Sequence, residues 1–140
     1  MKRISALFLV IILCLGMVAC NEGPVAEGGL WENARHTEDT EVGDGKRTMF
    51  VKVVAEDKSI IFTVHTDAKT VGEALTENSL ISGEQGAYGL YVKEVNGIVA
   101  DYDKDQSYWA FNKNGEAVQT GVDMTEFTDG EQFELVYTKN

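Results

Sequence analysis

The chain has 140 residues, with 12 Lys and Arg against 23 Asp and Glu and a formal net charge of −11 at pH 7. That balance opposes binding to nucleic acid or to anionic lipid head groups, which rely on basic surface, and no basic cluster offsets it. Two cysteines are too few for a disulfide framework, and the length after a leader, about 120 residues, suffices for one modest domain with its own core.

Lys2 and Arg3 precede an apolar run from Ile4 to Met17. The run falls short of the roughly 20 apolar residues that span a bilayer and reads as a secretory signal. Its exit, MVAC at Met17 to Cys20, resembles the lipobox of bacterial lipoproteins, with the small Ala19 before the cysteine. The resemblance implies that residues 1–19 are removed, that Cys20 carries a lipid, and that the chain is exported to the outer face of a bacterial cell membrane. Cys14 leaves with the signal, so no intramolecular disulfide forms. Residues 20–47 are polar, acidic and glycine-bearing, the composition of a flexible tether. Leu30 and Trp31 are its apolar exceptions and are expected to dock on the domain.

The expected domain runs from residue 48 to 140. Met49–Ala55 and Ser59–Thr66 are β-branched and aromatic runs joined by the polar turn Glu56-Asp57-Lys58, a hairpin signal. Ile60, Phe62 and Val64 point one way, and Ile61, Thr63 and His65 the other. His65 has no cysteine or second strand histidine with which to build a zinc site and reads as a surface residue. Thr70 and Glu73 have the spacing of a capping box, and Val71, Ala74 and Leu75 follow as an apolar stripe, so a short helix starts here. Ser82–Ala87 reads as a glycine-rich loop without the lysine of a phosphate loop. Tyr88–Val95 is a strand ending in the turn Asn96-Gly97, and Ile98–Ala100 returns. Tyr108–Asn112 pairs through Lys113-Asn114-Gly115 with Glu116–Gln119, Asp129-Gly130 turns again, and Gln132–Thr138 closes the domain with Phe133, Leu135 and Tyr137 on one face. The sum is a small α+β domain, one short helix across a mostly antiparallel sheet.

The helix TVGEAL, the segment GAYGLYVKEVNGI, the hairpin YWAFNKNGEA, the link VQTGVDMTEFTDGE and the strand FELVYT resemble the transcobalamin-like C-terminal domain family. The resemblance covers most of the chain from about residue 48 and implies a β-grasp-like fold. It implies a module that presses on one face of a corrinoid (cobalamin) through backbone and apolar contacts, or that docks to a transporter. This sequence reads without the large helical domain of the vitamin carriers, so one face of such a ligand is expected to be left uncovered.

The residues themselves hold no G-x-S-x-G elbow, no Cys-His pair after processing and no H-E-x-x-H, and they read as non-catalytic. Trp109 and Phe111 share a strand face and are expected at the core or its edge, while Tyr108 and Tyr88 are expected on an exposed ligand surface. Tyr88, Tyr91, Tyr108 and Trp109 form the candidate ligand set. Asp101, Asp103 and Asp105 form the candidate calcium set, because alternate oxygen ligands let a loop wrap a hard cation. Gln106 and Asn112 stand where an EF-hand needs Gly and Glu. What remains is either a single-loop calcium site, completed by Ser107, Glu94 or Asp123, or a solvated acidic loop. The readings are thus a monomeric ligand-capture module, a calcium module, and a structural or adhesion module that meets an envelope protein or a glycan.

Overall fold

The structure, a computed structural model, describes residues 29–140. Residues 33–140 form one compact unit. Leu30–Asn33 is a 3-10 turn with no buried residue. The signal segment and Cys20 lie outside the described residues.

Among the described residues nine strands make two sheets. The larger holds β1 (Thr40–Gly43), β2 (Arg47–Ala55), β3 (Lys58–Thr66), β7 (Ser107–Lys113), β8 (Glu116–Ala117) and β9 (Gln132–Lys139), in the order β1-β3-β2-β9-β7-β8. β1 runs parallel to β3 and β9 parallel to β2; the remaining pairs are antiparallel. The smaller sheet holds β4 (Ile81–Gly86), β5 (Gly89–Val95) and β6 (Ile98–Val99). Helix α1 (Val71–Glu77) and the four-residue helix α2 (Tyr102–Asp105) complete the domain. Among the described residues no helix is long and apolar enough to cross a membrane.

The period-2 pattern sets the core. Met49, Val51 and Val53 of β2, Ile60, Phe62 and Val64 of β3, and Phe133 and Leu135 of β9 are all nearly inaccessible. The alternate residues of these strands are half-buried on the opposite face. α1 contributes the expected stripe of Val71, Ala74 and Leu75. Its capping box forms in part: Thr70 Oγ1 accepts from Glu73 N–H at 3.2 Å, and Glu73 Oε1 accepts from Lys69 N–H at 3.3 Å.

Two expectations change. Ser82–Ala87, read as a loop, is mostly strand: β4 pairs with β5 from Ile81 to Gly86 with a register shift between Ser82 and Gly83. Only Ile81 of β4 is buried, so the segment carries no alternation to reveal a strand. Residues 33–47, expected as part of a tether, are folded against the domain. Asn96, fully buried in its turn, reads the backbone of this strap. Its Oδ1 accepts from His36 N–H at 3.0 Å, its Nδ2 donates to His36 O at 2.8 Å, and its own carbonyl accepts from Arg35 N–H at 2.9 Å. Gly97 is required beside it: φ is +85°, and a Cβ there would lie 2.5 Å from Asn33 O. Arg35 donates to Ser79 O at 2.6 Å and pairs with Glu94 at 3.1 Å, while the His36 ring stands edge-on to Phe62 at 5.5 Å. Backbone and polar groups do this docking, so an apolar-run reading of residues 33–47 finds nothing.

Candidate functional site

Among the described residues the two most exposed large apolar side chains, Tyr88 and Met124, lie at one end of the small sheet together with Tyr91. Gly86 pairs with Gly89, which leaves Ala87 and Tyr88 as a two-residue tip. Tyr88 is 86% exposed, Tyr91 42%, and Met124, on the 3-10 turn Val122–Met124, 62%. Exposed apolar side chains are costly to leave in water, so a tip that holds three such groups needs firm support.

Asp123 supplies much of it. Its Oδ1 accepts from Leu90 N–H at 2.8 Å and its Oδ2 from the Gln85 amide at 3.2 Å, so one carboxylate grips both strands of the hairpin. These bonds hold its pKa below the ordinary aspartate value, the Leu90 N–H first; partial burial opposes them and the Gln85 amide adds to them. Gly89 has φ +106°, and a Cβ there would stand 2.6 Å from Asp123 Oδ1, so only glycine lets the carboxylate approach. The turn is fixed in its place because Val122 is buried and Thr125 O accepts from the Val71 N–H at the start of α1.

Two shallow clefts flank the hairpin. One, of about 680 Å³, is bounded by Lys69, Thr70, Glu73 and Thr76 around α1 and by Gln85, Leu90 and Asp123. The other, of about 360 Å³, follows the tip from Gly86 to Tyr91 and touches Gly121. Leu90 lines both.

The candidate ligand set is divided by this geometry. Tyr88 and Tyr91 line the tip cleft. Tyr108 stands in the other sheet, half-buried, with its ring 6.4 Å from that of Tyr102. Trp109 is 6% exposed; its indole N–H donates to Ile98 O at 3.2 Å and its ring meets Tyr137 edge-on at 5.5 Å. Trp109 is therefore core, as its shared face with Phe111 predicts, and its place in the ligand set is corrected. Phe111 stacks on Phe133 with ring centroids 5.5 Å apart.

The three carboxylates of 101–105 are not gathered either. Asp103 and Asp105 fall on α2, where residues two apart diverge by about 200° around the axis. Asp101 sits at the N-cap and makes no side-chain capping bond. Asp105 instead accepts from the Ser107 hydroxyl at 2.6 Å and faces Lys139 at 3.7 Å, and its pKa is lowered, first by that hydroxyl. Among the described residues no group of three or more His, Cys, Asp or Glu side chains is arranged to hold a metal ion. Sequence reasoning missed the pairing of Asp123 with Gln85 and Leu90. The link Gln119–Met124 offered no signal for it beyond the acidic residue itself.

Residues 68–139 match a family model described as Domain of unknown function (DUF4430). The chain belongs to the DUF4430 family. The matched stretch carries α1, the small sheet, Asp123 and β7 to β9, whereas β1 to β3 precede it. No curated protein matches this DUF4430 chain at a significant level. Among solved structures it is similar to a candidate metal-binding protein from Ruminococcus gnavus ATCC 29149. The two are 38% identical with a TM-score of 0.64, over 68% of this chain and 99% of that one. It is also similar to haptocorrin in complex with Cbi, at 19% identity and a TM-score of 0.54, over 66% of this chain and 25% of that one. The second likeness establishes a shared fold for the DUF4430 domain, whose two sheets and short helix are the α+β architecture expected from the sequence.

Proposed function

We propose that the protein is a non-catalytic, extracytoplasmic binding module, held at the outer face of a bacterial membrane by a lipid on Cys20. In this reading the β4–β5 hairpin and the Val122–Met124 turn form its ligand surface. The observation that carries it is the combination of a tip aromatic 86% exposed with a carboxylate that locks the tip in place. A rigid aromatic surface binds with little loss of side-chain freedom. The clefts beside it are shallow, so it covers one face of a ligand instead of enclosing it.

A corrinoid is the ligand class we favour. The haptocorrin likeness and the transcobalamin-like segments support it, and a broad, flat-faced molecule suits Tyr88, Tyr91 and Met124. Titration of the full chain with cyanocobalamin should give a saturable 1:1 isotherm, which Tyr88→Ala weakens about tenfold, or ~1.4 kcal/mol. An isotherm that stays linear to high micromolar ligand would remove this reading. The anchor is tested separately: Cys20→Ala should move the protein from the membrane to the soluble fraction.

A divalent-cation reading draws support from the Ruminococcus gnavus relative. Its residues here would be Asp101, Asp103 and Asp105, drawn together on binding. Equal melting temperatures in calcium and in chelator would dispose of it.

A further inference from the structure

The chain contains two Asn-Gly turns with nearly the same backbone and opposite surroundings. Asn96 and Gly97 have φ of 55° and 85°; Asn114 and Gly115 have 54° and 82°. Asn114 is exposed at the β7–β8 tip, and nothing lies within 4 Å of the place a Cβ would take at Gly115. Asn96 is fully buried, and its carboxamide is held on both sides by the peptide of His36.

Asn-Gly is the dipeptide most open to spontaneous succinimide formation, because a glycine has no side chain to hinder its amide nitrogen. The glycine nitrogen, losing its proton, attacks the asparagine Cγ; a Cγ–N bond forms, the Cγ–Nδ2 bond breaks, and Nδ2 leaves as ammonia. Water then opens the five-membered imide at either carbonyl, giving aspartate or isoaspartate. The sequence of steps needs no reactant beyond water.

The attack requires Cγ to turn toward the following nitrogen. At Asn96 that rotation would break both hydrogen bonds to His36, at 3.0 Å and 2.8 Å, and move a group packed beneath the strap. We infer that Asn96-Gly97 is a strap-guarded modification site, converted by water only after residues 33–39 lift away. Conversion also prevents return. A carboxylate at Asn96 has no N–H for His36 O and sets an oxygen against that carbonyl, and isoaspartate adds a methylene to a turn that has no room for it. The conversion thus makes a reversible opening permanent. Asn114-Gly115 is the unguarded twin and serves as an internal clock.

The test ages the intact protein at mildly alkaline pH and follows both sites by mass spectrometry of proteolytic peptides, with isoaspartate detection. In the wild type Asn114 should convert at least about tenfold faster than Asn96, the gap being set by how rarely the strap opens. His36→Pro, which removes the N–H that Asn96 Oδ1 accepts, should bring the two rates to within about threefold. Equal rates in the wild type would overturn the inference. So would continued protection of Asn96 in His36→Pro protein whose Arg35 amide exchanges freely. Should that variant fail to fold, hydrogen exchange in the wild type decides instead. Conversion of Asn96 slowed in step with exchange of the Arg35 and His36 amides supports the guard, and conversion while those amides stay protected refutes it.

Discussion

The large sheet buries alternate residues along β2, β3 and β9 and takes its order from apolar contact spread over many side chains. The small sheet has Val92, Val95, Ile81 and Ile98 inside, but its far end, from Ser82 to Tyr91, is mostly exposed. Beyond its own strand pairing, that end is gripped from the rest of the domain by the Asp123 carboxylate and a glycine that admits it. One region distributes its stability and the other concentrates it. The arrangement frees the hairpin tip to display Tyr88 without asking that residue to hold anything together.

Breaking the distributed region should cost most. Phe62→Ala removes a ring that is 1% exposed and braced by His36, and should lower the unfolding free energy by about 3–5 kcal/mol in urea titration. All probes should unfold together; a hairpin that survives the loss of the large sheet would contradict this division of roles. Asp123→Ala should cost less, about 1–3 kcal/mol, because the Leu90 N–H loses its acceptor. Hydrogen exchange should then quicken from Gly83 to Val92 and stay unchanged in β2 and β3. Equal quickening in both sheets would show that the grip is not local.

Acid should sharpen the same contrast with a smaller effect. Asp123 titrates below the ordinary aspartate value, as does Glu131 below the ordinary glutamate value, the latter chiefly through its bond with Lys113. A carboxyl with a depressed folded pKa contributes stability that is complete above its unfolded pKa and is lost as pH falls through the folded one. The Leu90 amide resonance should therefore shift in step with the titration of Asp123, below the usual carboxylate range, and Asp123→Asn should abolish the step. The smallest effect belongs to Tyr88→Ala. Folding stability should move by less than about 0.5 kcal/mol, since the ring is almost wholly in water. A larger loss would mean that the tip aromatic supports the hairpin as well as decorating it.

The elements legible in the sequence are those with a local signature. Ile60, Phe62 and Val64 announce a strand by alternation, Thr70 and Glu73 announce a helix start, and Asn96-Gly97 and Asn114-Gly115 announce turns by the positive φ they adopt. β4 was missed because Ser82 to Gly86 bury nothing, and the strap because Asn96 holds it by reading a peptide backbone. At the candidate site Tyr88 and Tyr91 were legible as aromatics on a strand. Asp123 was not, because its partners Gln85 and Leu90 are 38 and 33 positions away and only the fold brings them within reach. The acidic run 101–105 has a spacing that suits an extended loop, whereas the chain there turns helical and spreads the three carboxylates.

The parallel pairing of β9 with β2 carries a consequence for how the molecule is made. β9 is wedged between β2 and β7, and the same edge ties Thr48 N–H to Asp129 Oδ1 across 81 positions of chain. Closing a loop of that length carries an entropy cost that must be met before the contacts reward it. The β2–β3 hairpin can form early, yet it stays half-sheltered until β9 arrives to cover its open edge. Until then the nascent chain presents an unpaired, strongly apolar strand edge, so the interval before β9 inserts is when this protein is most exposed to aggregation and most in need of a chaperone.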